Sequence, residues 1–258
     1  MIGVFDSGVG GMSVVSDIKT LVPQTDILYF ADSGRAPYGP RPLLEVRRYA
    51  EQITDRLLDE GVELIVVACN AASAAALHHL RAIHPTVSFV GMEPAVKPAA
   101  SRTRSNVVGV LTTSATFQGE LFASVVDRFA SNVAVRTRIC DGWVELVEAG
   151  VVDGDEATRA VAEHVEPLLA VGADTLVLGC THYPFLADVI RRVAGPDVEL
   201  VDPAPAVARQ VQRLLASAKP GSSSLRVETT GDPECVAQTI ERLTGLAPPV
   251  SAVTFTMP

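Results

Sequence analysis

The sequence predicts an α/β protein built from two similar halves, each a parallel sheet with covering helices, and a cleft between them. Three observations carry this. Short, fully apolar runs alternate with stretches of helical period along the chain, the order that βαβ units and parallel sheets require. An internal repeat relates the halves. Gly61-Val62-Glu63-Leu64-Ile65-Val66-Val67-Ala68-Cys69-Asn70 and Gly172-Ala173-Asp174-Thr175-Leu176-Val177-Leu178-Gly179-Cys180-Thr181 share glycine, acid, apolar run, cysteine and polar residue at an offset of 111. The same offset carries Val90-Gly91-Met92-Glu93-Pro94-Ala95-Val96 onto Val201-Asp202-Pro203-Ala204-Pro205-Ala206-Val207, and Met1–Ser7 matches Val107–Thr113 at an offset of 106. Buried parallel strands all look alike as Val/Ile/Leu runs, so the shared Gly and Cys positions carry the inference.

Taken in order, Ile2–Phe5 is a strand and Gly11–Val22 the helix after it. Ile27–Ala31 is the second strand. Pro42–Glu60 places Leu43, Val46, Tyr49, Ala50, Ile53, Leu57 and Leu58 at helical spacing. Leu64–Ala68 leads to Cys69, then to a helix over Ser73–Ile83, and Val87–Val90 is the last strand of the first half. Val107–Leu111, Val133–Ile139, Thr175–Gly179 and Val198–Val201 are the strands of the second half. Its helices are expected over Thr116–Phe129, Asp155–Val171 and Tyr183–Val193, and another follows over Pro205–Leu215. Lys219-Pro220-Gly221-Ser222-Ser223-Ser224 reads as a flexible surface loop. The strand Leu225–Thr229 and helix Pro233–Leu243 beyond it must pack on something already built, and the first half is the expected partner. The expected division is residues 1–97 with 208–258 as one domain and 98–207 as the other.

The 258 residues are 48% hydrophobic and 5% aromatic, which suits a sizeable α/β core. A formal charge of −9 argues against nucleic acid or an anionic membrane as partner, since both need clustered Lys and Arg. It leaves a small anionic substrate open. No apolar run reaches the roughly 18 residues of a membrane span, and Met1–Gly11 lacks the basic start of a signal peptide. Cys69, Cys140, Cys180 and Cys235 lie far apart, without CxxC spacing, the usage of a reducing, cytoplasmic setting.

Cys69 and Cys180 each follow a strand and precede a helix, at equivalent places in the two halves. Two such thiols would face each other across one cleft. Opposed bases are what a racemase needs: one takes a proton from a stereocentre, the other returns a proton to the opposite face. A helix N-terminus is expected to lower each thiol's pKa. Asn70 and Thr181 stand next to the thiols and could bind a carboxylate, cap the helices, or both. Asp6-Ser7-Gly8-Val9-Gly10-Gly11 is a glycine-rich turn that permits close approach of backbone to an anion. Asp6 could orient an ammonium, tune Cys69, or simply form the turn. Pro37-Tyr38-Gly39 would place a phenol or a backbone N–H over the cleft, and His182 is placed to assist Cys180 or a substrate group. Cys-x5-Arg is absent, with Ala75 and Leu186 at the Arg places, as are metal-binding spacings. No lysine stands out as a cofactor anchor, so no cofactor and no metal are expected.

These motifs together resemble the glutamate racemases of the aspartate/glutamate racemase superfamily. The resemblance spans nearly the whole chain and rests on Asp6–Gly11, Pro37-Tyr38-Gly39, Ala68-Cys69-Asn70, Glu93-Pro94 and Gly179-Cys180-Thr181-His182-Tyr183-Pro184. It implies two α/β domains in pseudo-twofold relation, a homodimer, and cofactor-independent interconversion of L- and D-glutamate, the D-form supplying peptidoglycan synthesis. Carried over, Cys69 takes the α-proton of D-glutamate with help from Asp6, and Cys180 takes that of L-glutamate with help from His182. Asp32 and Glu148 match auxiliary acids. Ser7, Tyr38, Gly39, Asn70 and Thr181 match substrate-binding positions. One departure is Ala71, where the family usually has Thr; the missing hydroxyl is worth roughly ten- to a hundredfold in affinity, although the Ala71 N–H remains. That keeps another acidic substrate such as aspartate open. A decarboxylase needs only one of these thiols, and a non-catalytic binding module needs neither.

Overall fold

The computed structural model describes residues 1–129, 132–216 and 221–255. The strands are β1 (Ile2–Asp6), β2 (Ile27–Ala31), β3 (Leu64–Val67), β4 (Ser88–Gly91), β5 (Val107–Thr112), β6 (Ala134–Ile139), β7 (Thr175–Gly179), β8 (Glu199–Val201), β9 (Leu225–Thr229) and β10 (Val250–Ala252). The helices are α1 (Met12–Leu21), α2 (Leu43–Asp59), α3 (Asn70–Ile83), α4 (Val96–Ala100), α5 (Ser114–Gln118), α6 (Glu120–Phe129), α7 (Trp143–Glu148), α8 (Gly154–Ala170), α9 (Ala187–Ala194), α10 (Ala204–Leu214) and α11 (Pro233–Thr244).

All strand pairs are parallel. The first sheet runs β10-β9-β2-β1-β3-β4 and the second β6-β5-β7-β8. The repeat is therefore one of topology: β2-β1-β3-β4 and β6-β5-β7-β8 have the same order. In such sheets ligands bind beyond the carboxyl ends of strands where the winding direction reverses. Here that point lies between β1 and β3, and again between β5 and β7. Asp6 ends β1, Cys69 follows β3 and Cys180 follows β7, so the topology alone brings these side chains to the sheets' carboxyl edges.

Each sheet is covered on both faces. Val4, Tyr29 and Val66 pack under α1 and α10, while Phe5, Phe30 and Val67 pack under α2 and α3. The second sheet has Leu176 and Leu178 under α8 and α9, and Val108, Val110 and Val177 toward α4 and α6. The tail returns as expected: β9 pairs with β2 in register Tyr29↔Val227. The expected domain limits, 97/98 and 207/208, fall inside α4 and α10. Those helices pack whole, α4 on the second sheet and α10 on the first. No helix among the described residues is long and apolar enough to cross a membrane.

Several expectations are corrected. Thr116–Phe129 is two helices, because Gly119 is extended at ψ 139°, the residue with the weakest hold on a helix after proline. The helix after Cys69 begins at Asn70 rather than Ser73, because the Cys69 side chain caps it. The Tyr183–Val193 stretch opens as a 3₁₀ turn over Tyr183–Leu186 before α9. Helices α4 and α7 and strand β10 have five, six and three residues, too short to show a period. The expected flexible loop is pinned where it is described: Ser222 and Ser224 each donate N–H and hydroxyl to Asp26 Oδ1 at 2.7–3.0 Å. Lys219 and Pro220 lie outside the described residues.

One packing detail carries a stability prediction. Asp202 precedes α10 and accepts from Ala204 N–H at 2.8 Å. Burial pushes its carboxyl up to about 6, Asp17 adds to this, and the Ala204 N–H and Arg191 oppose it. A folded pKa above the unfolded one means that stability falls as the pH rises from about 4 to about 6. Asp202→Asn keeps the acceptor and removes the charge. It is expected to stabilise the protein by about 1–3 kcal/mol above pH 7 and by almost nothing near pH 4, as read by urea unfolding at the two pH values.

Candidate active site

The two sheets meet at their carboxyl edges around a narrow pocket. Ser7, Pro37, Tyr38, Gly39, Cys69, Asn70 and Ala71 line it from the first sheet's side, and Thr113, Val144, Cys180, Thr181 and His182 from the second's. A larger hollow at the amino ends of β7 and β8 has its arginines Arg102, Arg104 and Arg191 paired with Glu199, Asp174 and Asp188, and neither Cys69 nor Cys180 lines it.

Cys69 is the N-cap of α3, its Sγ accepting from Ala72 N–H at 3.4 Å. A lowered thiol pKa is not what results. Burial and the adjacent Asp6 carboxylate push Cys69 well up, and the Ala72 N–H only partly opposes them. The thiol therefore keeps its proton and directs it at Asp6. Asp6 is fully buried. It accepts from Ser7 N–H at 2.7 Å, Gly11 N–H at 2.6 Å and Thr181 Oγ1 at 3.1 Å. Burial raises its pKa, against the pull of His182 and the Cys69 and Ser7 hydrogen bonds. Because Cys69 does the capping, Asn70 is left free of that role. Both polar atoms of its side chain are buried and without a partner, and the side chain lines the cavity.

On the other side, Cys180 Sγ lies 3.7 Å from His182 Nδ1, and His182 Nε2 lies 2.6 Å from Glu148 Oε1. Glu148 is an acceptor, so the Nε2 proton is fixed and Nδ1 faces the thiol. Burial alone would push the imidazole down. The Cys180 and Glu148 contacts outweigh it and hold the imidazolium form well above the usual histidine range. Helix α7 aims Val144 and Glu148 at the site. Trp143 anchors that helix, fully buried, edge-on to Tyr183 at 4.8 Å and donating Nε1–H to Ala160 O at 3.1 Å.

The glycine turn lets backbone approach an anion, as its composition suggests, and that anion is the Glu148 side chain. Val9 N–H donates to the same Glu148 Oε1 at 2.8 Å. A Cβ on Gly8 would stand 1.9 Å from Glu148 Oε1, and one on Gly10 would stand 2.3 Å from His182 Nδ1. The turn is bare so that the first sheet's edge can seat on the His182–Glu148 pair. Ser13 Oγ, which donates to Thr181 O at 3.0 Å, and Ala115 N–H, which donates to Gly39 O at 2.9 Å, tie the same junction.

Of the residues singled out in the sequence, Ser7, Tyr38, Gly39, Cys69, Asn70, Ala71, Cys180, Thr181 and His182 line the cavity, while Asp6, Asp32 and Glu148 stand behind it. Pro37, Thr113 and Val144 are additional lining residues. Thr113 was within reach, since the repeat sets it opposite Ser7. Val144 was not, because it rides on a six-residue helix.

A narrow pocket between the carboxyl edges of two like parallel sheets, with ionisable side chains converging from both, fits the class of amino-acid racemases. More narrowly, the chain belongs to the Asp/Glu/Hydantoin racemase family, whose model matches residues 2–211. A glutamate racemase of Herpetosiphon aurantiacus is 52% identical over 237 residues, covering 90% of this chain and 93% of the relative. The crystal structure of a glutamate racemase isoform from Bacillus anthracis superposes with a TM-score of 0.89 at 31% identity, covering 98% of this chain and 97% of that one. The Francisella tularensis glutamate racemase, solved in complex with D-glutamate, superposes with a TM-score of 0.84 at 27% identity over 98% of this chain and 97% of that one.

Proposed function

We propose that the protein interconverts L- and D-glutamate by moving protons between the α-carbon and two thiols, Cys69 and Cys180, without a cofactor. The observation that carries this reading is that both thiols line one pocket, each backed by its own acid–base partner. The Cys180 side holds an imidazolium, the Cys69 side a protonated thiol. For L-glutamate, Cys180 would act as thiolate and take the α-proton while Cys69 gives its proton to the opposite face. Asp6, whose pKa burial raises, takes the Cys69 proton when that thiol must act as the base, and His182 with Glu148 compensates Cys180. D-glutamate needs the reverse protonation. Substrate carboxylates would be met by the unpartnered Asn70 side chain, the first N–H groups of α3 and the Ser7 and Thr113 hydroxyls. Exclusion of water by the bound substrate would strengthen these contacts as the carbanion forms. D-glutamate so made would feed peptidoglycan synthesis.

Ala71 sets the second reading. It lines the cavity with no hydroxyl, which leaves aspartate as a competing substrate. The test is to incubate the protein with each enantiomer of glutamate, and of aspartate, in D2O. The α-proton is followed by NMR and optical activity by circular dichroism. Loss of the α-proton with decay to a racemate on glutamate is expected, at a rate above that on aspartate. Folded, reduced protein that leaves both glutamate enantiomers untouched would overturn the reading.

A further inference from the structure

Asp32 follows β2 and is fully buried, yet it does not line the cavity. Its carboxylate is gripped from three sides. Tyr38 donates its phenol to Oδ2, Thr230 donates its hydroxyl to Oδ1 at 2.6 Å, and Arg35 Nε stands 2.8 Å away. Tyr38, with Pro37 and Gly39, forms one wall of the cavity. Thr230 comes from the far end of the chain, in the first position after β9. Its N–H donates to Ala31 O at 3.3 Å and its Oγ1 accepts from Gly34 N–H at 3.0 Å. Phe255, further along the same tail, sits with its ring 4.8 Å from the Arg35 guanidinium, which also lies 4.1 Å from the Tyr49 ring, a stacked arrangement that immobilises arginine. The carboxylate is thus committed to the three side chains around it rather than to a reacting atom.

We propose that Thr230 is a positioning residue for the reaction: through Asp32 it fixes Tyr38, and with it the Pro37–Gly39 wall that faces the substrate, while Phe255 holds Arg35 in the same assembly. This rests on the reading of the cavity as the substrate site. A buried carboxylate that loses one of its donors repacks toward the others, and Tyr38 is the donor that the cavity feels. The tail after β9 thereby contributes to substrate binding without touching substrate.

Thr230→Val is nearly isosteric and removes only the hydroxyl; Thr230→Ser restores it. The variants are compared with the full-length protein by steady-state racemisation of glutamate and by thermal melting. Thr230→Val is expected to raise KM about tenfold with kcat within about twofold. Thr230→Ser is expected to return KM to within about twofold of the wild type. A KM unchanged in Thr230→Val, or a loss of kcat/KM that Ser does not restore, overturns the proposal. So does a lower melting temperature with unchanged KM. Should Thr230→Val fail to fold, Phe255→Ala carries the same test, with a KM-specific loss expected and an unchanged KM overturning it. A substrate-free readout separates this from the proposed reaction: the rate at which iodoacetamide alkylates Cys69, followed by mass spectrometry. Thr230→Val is expected to speed it several-fold through the loosened wall, and an unchanged rate counts against the proposal even if glutamate proves not to be the substrate.

Discussion

Cys69→Ser and Cys180→Ser are each expected to lower racemisation by roughly three orders of magnitude or more, the full value of a placed acid–base group. A hydroxyl is a far weaker acid than a thiol, so neither variant can hold the required anion near neutral pH. The two enantiomers have equal free energy in water, so the equilibrium constant is unity. Each variant must therefore lose kcat/KM by the same factor in both directions, whichever thiol is changed. What distinguishes the thiols is exchange without inversion. With Cys180 intact, the α-proton of L-glutamate still faces a base and can wash out into D2O with configuration retained. With Cys69 intact, the same holds for D-glutamate. NMR in D2O with polarimetry reads both quantities in one experiment. Wild-type turnover in either variant, or residual exchange of the wrong enantiomer, would remove the two-thiol assignment.

Glu148→Gln is expected to lower kcat/KM by about ten- to a hundredfold, the worth of one hydrogen bond to a charged group. Glutamine keeps an oxygen for Val9 N–H and His182 Nε2 but no longer offsets the imidazolium charge. Burial then acts with less opposition and His182 becomes less basic. The limb of the pH profile that reports His182 is expected to move to lower pH, which simple damage to folding would not cause. Gly8→Ala tests the same contact from the opposite sheet. Its Cβ would stand 1.9 Å from Glu148 Oε1, so the glycine turn and the His182–Glu148 pair cannot stay seated together. A displacement of that size at the reacting groups costs about a hundredfold or more. Steady-state kinetics of both variants, with melting curves as control, checks the pair. Equal activity of Gly8→Ala and wild type would show that the junction does not govern the chemistry.

Much of the fold was legible because its signals are local or repeated. The strands that lead to Asp6, Cys69 and Cys180 are short, largely apolar runs, and the shared Gly and Cys positions expose the repeat that the matching strand orders bear out. The tail's return to the first sheet followed from the need of a lone strand and helix for a partner. What was not legible lies in short elements and long-range pairings. Helix α7 is too short to announce itself, yet it delivers Glu148 and Val144. The thiol shift was misjudged for Cys69 because a helix N-terminus is a local feature. The burial and the Asp6 charge that outweigh it come from β1, more than sixty residues away.

The sequence alone determines that the chain folds as two like α/β halves, and that two cysteines stand at equivalent strand ends, since hydrophobic period and repeat are properties of neighbouring residues. Only the tertiary structure decides what each polar group faces. It gives the glycine turn the Glu148 carboxylate as its anion, sets Asp6 behind Cys69 and across from Thr181, and ties Asp32 to Thr230 nearly two hundred residues away. Those pairings depend on how the two sheets meet, and the energy of a buried charge depends on that meeting rather than on its neighbours in sequence.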